Sequence, residues 1–144
     1  MSGVVDSAQR RDATDPLRSV CVTAPAGSGK TELLIQRYLG LLARVARPEQ
    51  VLAITFTRKA AAEMRERVLQ ALDGARRELP CDSDHQRHTR ALAQAALDAD
   101  ARGEWHLLQN VARLNIKTID SFCAGLTRQM PVLSHCGGQA SPAE

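Results

Sequence analysis

The octet Ala24-Pro25-Ala26-Gly27-Ser28-Gly29-Lys30-Thr31 stands between the apolar run Val20-Cys21-Val22-Thr23 and an amphipathic helical stretch. Few backbone paths satisfy such a segment. Glycines at Gly27 and Gly29 let the chain curl tightly, so that strand, turn and helix follow in that order, as in a phosphate-binding P-loop. The turn aims its N–H groups at one point, and the helix behind it adds the positive end of its dipole. A nucleoside triphosphate is the expected occupant. Lys30 then reaches the β- and γ-phosphates, and the Thr31 hydroxyl holds Mg²⁺. Ala24, Pro25, Ala26, Gly27, Ser28, Gly29 and Glu32 complete the expected nucleotide contacts. The general pattern begins with glycine where this chain has Ala24; the strand before the turn and the helix after it support the assignment. The alternative is an ordinary Gly/Ser-rich turn.

A chain of 144 residues suits one domain, and its four aromatics (Tyr38, Phe56, Trp105 and Phe122) leave Leu, Ala and Val to fill the interior. A net charge of +3 permits a nucleic-acid partner without requiring one. Cys21, Cys81, Cys123 and Cys136 show neither CxxC spacing nor a metal-ligand rhythm with the histidines, so they read as reduced thiols of a cytoplasmic protein. No apolar stretch approaches the roughly 20 residues that span a bilayer, so no membrane partner is expected.

Residues 1–18 are polar, with a short helix expected from about Ser7 to Ala13. Leu33, Leu34, Tyr38, Leu41 and Leu42 recur at helical spacing up to about Arg44. Val51-Leu52-Ala53-Ile54-Thr55 reads as a strand. Arg58 to Leu72 reads as a helix with Ala62, Met64, Val68, Leu69 and Leu72 as its buried stripe. Gly74 to Arg87 reads as a solvent loop, and Ala91 to Ala101 and Trp105 to Arg113 as helices. Leu114 to Ile119 alternates like a third strand, followed by a helix from about Asp120 to Gln129 that stops before Pro131. Strands joined through helices favour a parallel sheet, so the expected fold is α/β. Residues 19–133 form its body, residues from about 74 to 113 a helical insertion, and residues 134–144 an unpatterned tail.

The junction Thr55-Phe56-Thr57-Arg58-Lys59 sets two hydroxyls, an aromatic ring and two cations where a strand ends and a helix begins, the place where open α/β sheets bind ligands. Hydroxyls and N–H groups there can hold a phosphodiester, and Phe56 can face an unstacked base. A plain capped helix start, with Thr57 as N-cap, explains the same residues.

The P-loop segment and the stretch Thr55-Phe56-Thr57-Arg58-Lys59-Ala60-Ala61-Ala62-Glu63-Met64 together resemble the start of superfamily-one DNA helicases of the UvrD/Rep type. The RecB and AddA branch is the nearer likeness: Arg58 stands where many UvrD proteins carry asparagine, and Thr118-Ile119-Asp120-Ser121-Phe122-Cys123 is similar to that branch's third motif. The resemblance covers about Asp6 to Met130. It implies an incomplete RecA-like ATP-binding domain, with ATP and Mg²⁺ as cofactors, and Gln9 as the adenine-reading residue. It implies that Thr55, Phe56, Thr57, Arg58 and Lys59 line a single-stranded DNA path, and that Thr118 and Ser121 make a second backbone contact. A capping role for Asp120 and Ser121 at a helix start is compatible with that contact.

Hydrolysis by P-loop enzymes also needs an acidic residue behind a buried strand to hold Mg²⁺, and a group to orient water. No Asp-Glu pair is found, because Ser121 follows Asp120 where a glutamate is wanted. The chain is therefore expected to be the N-terminal portion of a longer helicase, working in DNA repair or recombination and moving 3′ to 5′ on single-stranded DNA. A second nuclease/helicase subunit is a further partner the likeness suggests. Two other readings stay open: a self-contained small P-loop NTPase or kinase using Asp120 as its metal acid, and a non-catalytic nucleotide- or DNA-binding remnant.

Overall fold

The computed structural model describes residues 3–25, 27 and 29–130. Five helices, α1 (Gly3–Thr14), α2 (Lys30–Leu42), α3 (Arg58–Arg76), α4 (Asp84–Gly103) and α5 (Ile119–Gln129), accompany two strands, β1 (Leu52–Thr55) and β2 (Asn115–Thr118). The strands pair in parallel with Leu52 opposite Asn115 and Thr55 opposite Thr118. Their connection runs through α3 and α4, as a parallel crossover requires. The expected tail, residues 134–144, lies outside the described residues.

The core lies among α2, α3 and α4. Ile35, Leu39 and Leu42 from α2 meet Val68 and Leu72 from α3 and the small face Ala93, Ala96 and Ala99 of α4. Alanines on that face let the backbones approach closely, which suits a chain poor in aromatics. On the sheet, Ile116 and Thr118 are buried, whereas Leu52 and Ile54 alternate outward and are exposed. Arg65 of α3 fastens the sheet from behind, donating a 2.8 Å hydrogen bond to the Ile116 carbonyl.

Several expectations need correction. Val20–Thr23 forms no strand. It pairs with neither β1 nor β2, and without a ladder an extended segment has no strand to join. The first helix begins at Gly3 rather than near Ser7. Helix α3 runs four residues past Leu72, burying Gly74 and Ala75, so the connecting loop is shorter than Gly74–Arg87 and α4 already starts at Asp84. Gly74 does not break the helix because it sits against α4, whose Arg90 Nη2 lies 3.4 Å from where its Cβ would be. The stripe of α3 starts at Ala61, with Ala62 exposed. On α2, Leu34 faces solvent while Gln36 is buried.

Trp105–Arg113 is not a helix. Glu104 and His106 adopt left-handed φ of 52° and 56°, which ends α4, and only the short 3₁₀ turn Val111–Arg113 follows. Packing explains the detour: Trp105 and Leu107 plunge into the core, and the indole Nε1 donates to the Ala46 carbonyl at 3.3 Å. At the end of this turn, Arg113 forks onto Glu49, with Nε 2.7 Å from Oε1 and Nη2 3.3 Å from Oε2. The Arg113 hydrogen bond holds the Glu49 carboxyl below its ordinary range.

Candidate functional site

The turn ahead of α2 has the conformation its glycines were expected to supply. Gly27 and Gly29 take φ of +78° and +84°, a region that side-chain-bearing residues rarely occupy. Nothing lies within 4 Å of where a Cβ on Gly27 would stand, so there is open space beside that glycine. Gly29 is the N-cap of α2 and makes no side-chain cap, which leaves the helix's first N–H groups for another acceptor. Lys30 Nζ donates to the Ala24 carbonyl at 2.6 Å, folding the ammonium back along the turn. Thr31 is exposed beside it. These residues fit a polyphosphate: an open glycine turn, a helix start and a cation held at its rim. Ala26 and Ser28, expected nucleotide contacts, lie outside the described residues.

A cleft of about 500 Å³ opens over this turn, lined by Gln9 from α1, by Thr23, Ala24 and Pro25, and by Gly29 and Lys30. Gln9 thus faces the same space as Lys30. Helix α1 is fixed there by Arg37 of α2, whose guanidinium donates to the carbonyls of Ala13 (2.8 Å), Asp15 (3.0 Å) and Arg18 (2.6 Å). The run Val20–Thr23 that forms no strand instead walls this cleft.

Glu32 is placed differently from its neighbours. Its carboxylate accepts a 2.7 Å hydrogen bond from the Thr89 hydroxyl of α4, and His85 Nε2 lies 3.8 Å away. Buried Gln36 donates to the same Thr89 oxygen at 3.0 Å. The polar seam that results ties the first turns of α2 to α4. Sequence reasoning missed this seam, although one polar residue inside an apolar stripe, Gln36, was a signal for it. No comparable signal announces Arg37.

The second group of residues gathers at the C-terminal ends of the strands. Because Thr55 and Thr118 are in register, the starts of α3 and α5 stand side by side. Thr57 caps α3, accepting from the Ala60 N–H at 3.0 Å. Thr118 caps α5, accepting from the Ser121 N–H at 3.2 Å and donating to the Ser121 hydroxyl at 2.9 Å. Thr55 donates to the Thr57 carbonyl at 3.0 Å, which stiffens the turn between strand and helix. The cap expected at Thr57 is present, whereas the cap of α5 is Thr118 rather than Asp120 and Ser121, which lie inside the helix; the two helix starts set two positive helix ends on one ledge. Phe56 projects from it 89% exposed, flanked by exposed Arg58 and Lys59; Lys59 Nζ lies 4.0 Å from Glu63. Segments 62 positions apart in the chain thus form one surface able to hold a phosphodiester.

Comparison with known proteins covers most of the chain. Residues 5–137 match the family model described as UvrD/REP helicase N-terminal domain. The chain is similar to proteins named as the A subunit of an ATP-dependent helicase/nuclease. The one from Desulforamulus reducens is 39% identical over 114 residues, covering 77% of this chain and 8% of the relative. That from Desulfitobacterium hafniense is 40% identical over 123 residues, 81% of this chain and 8% of the relative. That from Ligilactobacillus salivarius is 33% identical over 122 residues, 85% and 8% respectively. The chain therefore spans about 8% of the length of these relatives.

Proposed function

The chain belongs to the UvrD/REP helicase N-terminal domain family, and on that premise we propose that it is the ATP-binding front of a DNA helicase acting on single-stranded DNA. The pair of left-handed glycines ahead of Lys30 carries the reading, because a turn with that backbone at a helix start suits a phosphate chain. Gly27 and Gly29 present backbone N–H groups to the phosphates. Lys30 leaves the Ala24 carbonyl to meet the β- and γ-phosphates, Thr31 holds Mg²⁺, and Gln9 reads the adenine from α1. A bound Mg²⁺ would neutralise charge that develops on the phosphates.

The ledge of Thr55, Phe56, Thr57, Arg58 and Lys59 with Thr118 and Ser121 takes the DNA strand: hydroxyls, N–H groups and cations meet the backbone, while the Phe56 ring meets a base. In this reading the two sites belong to a RecA-like domain, and nucleotide-driven closure moves the strand 3′ to 5′ in DNA repair or recombination in the cytoplasm. The relatives are each named for one component of a helicase/nuclease, which supports a second nuclease/helicase component in the role of partner.

Mg-ATP binding tests the reading directly. A ligand that binds only the folded state raises its melting temperature, so the wild-type chain gains stability with Mg-ATP and Lys30→Ala does not. Equal gains in both would end the P-loop assignment. ATP turnover by the chain alone, indifferent to added oligo(dT), would favour a self-contained NTPase instead.

A further inference from the structure

Arg10 comes one residue after Gln9 on α1, and its guanidinium lies over the P-loop. A Cβ placed on Gly29 would meet Arg10 Nη2 at 3.1 Å and Nη1 at 3.3 Å, so two terminal nitrogens of one fork converge on the glycine that heads α2. The residue is half-buried and lines the same cleft as Gly29 and Lys30. Its placement is built in, since Arg37 anchors the end of the same helix through the Ala13 carbonyl. A planar guanidinium can bind two phosphate oxygens at once, which an ammonium cannot do with fixed geometry.

We propose that Arg10 is a second cationic contact to the polyphosphate of a nucleotide in this cleft, reaching from α1 across the turn while Lys30 reaches from the head of α2. The inference rests on the P-loop reading. It makes α1 a reader of phosphate as well as base, so affinity depends on the length of the phosphate chain through two helices rather than one.

Titration of the full 144-residue chain with fluorescent mant-ATP and mant-adenosine in Mg²⁺ tests it, with circular dichroism to confirm that each variant folds. Arg10→Ala is expected to weaken mant-ATP about tenfold or more, the loss typical of a charge-assisted bond, and to leave mant-adenosine unchanged. Arg10→Lys recovers part of the loss, and Arg11→Ala, on an exposed neighbour, binds like wild type. Arg10→Met, which keeps the aliphatic stem, shows the same loss should alanine disturb α1. If Lys30→Ala weakens mant-ATP and the Arg10 variants do not, this inference is overturned and the P-loop reading stands. Tighter binding by Arg10→Ala would also overturn it, by showing that the guanidinium blocks the turn. No response to Lys30→Ala, or no saturable binding by wild type, overturns both.

Discussion

Arg37 Nη1 donates to the Ala13 carbonyl at 2.8 Å, the first of three carbonyls its guanidinium gathers from the end of α1 and the segment behind it. This one side chain connects the helix that carries Gln9 to the helix that begins with Lys30. Lysine cannot reproduce the fork, so Arg37→Lys and Arg37→Ala should both loosen α1. We predict a loss of about 1–3 kcal/mol from the stranded acceptors. Hydrogen exchange over residues 8–14 should speed up while α3 and α4 keep their protection. Unchanged exchange would show that α1 is held by other contacts.

Gly103 is required by its neighbour rather than by its own backbone. A Cβ there would lie 2.0 Å from Trp105 Nε1, and the indole cannot retreat because it is buried and bonded to Ala46. Gly103→Ala is predicted to destabilise by about 1–3 kcal/mol, as overpacking does, although alanine is the better helix former. Urea denaturation followed by the fluorescence of this single tryptophan reads the effect. A gain in stability would contradict the packing described.

Phe56 should separate binding from folding. Its 89% exposure means that Phe56→Ala leaves stability within about 0.5 kcal/mol of wild type. The same change should cost about 1–3 kcal/mol of affinity for oligo(dT), the value of one stacked base. Thr57→Ala and Thr118→Ala should behave oppositely in the denaturation assay, each losing about 1 kcal/mol with its helix cap. Fluorescence anisotropy with labelled oligo(dT) decides the first point, and full affinity in Phe56→Ala would remove the ring from the DNA path.

Tyr38 is the chain's single tyrosine, and burial pushes its ionisation up to about 12 against weaker opposing pulls from the Asn115 backbone and the Arg65 charge. Its hydroxyl makes no hydrogen bond among the described residues. In the fold the neutral phenol is favoured. The stability linked to this group is intact below the ordinary value of 10.0 and is lost as the pH rises from there through about 12. Tyr38→Phe should equal or exceed wild type by about 1 kcal/mol at neutral pH, because an unpartnered buried hydroxyl is removed. It should also resist alkaline unfolding better. Tyrosinate absorbance during a pH titration checks the wild type, and ionisation near the ordinary value would show the ring to be accessible.

Legibility in the sequence followed the range of the forces involved. The glycine turn, the cap at Thr57 and the helices α2, α3 and α5 depend on neighbours a few residues away, and local pattern located them within a few positions, although the cap of α5 is Thr118 rather than Asp120 and Ser121. Trp105 defeated the pattern because its burial is decided by Ala46 and the core, which no window around Gly103 contains. Val20–Thr23 has strand-like residues, yet pairing is a property of two segments and the partner is not β1 or β2. At the site, residue types announced the glycine turn ahead of α2. Glu32 looked like part of it, but the Thr89 hydroxyl that claims its carboxylate comes from a helix far along the chain.

The strand register has a kinetic consequence. Thr55 and Lys117 lie 62 positions apart, with α3 and α4 between them. Closing so long a loop costs entropy that two four-residue strands cannot offset until the intervening helices have paired. The surface uniting Thr55 with Thr118 therefore assembles late in refolding, after the α3–α4 hairpin. In pulse-labelled exchange, amides of β1 and β2 should gain protection after those of α3 and α4, and simultaneous protection would point to a single concerted step.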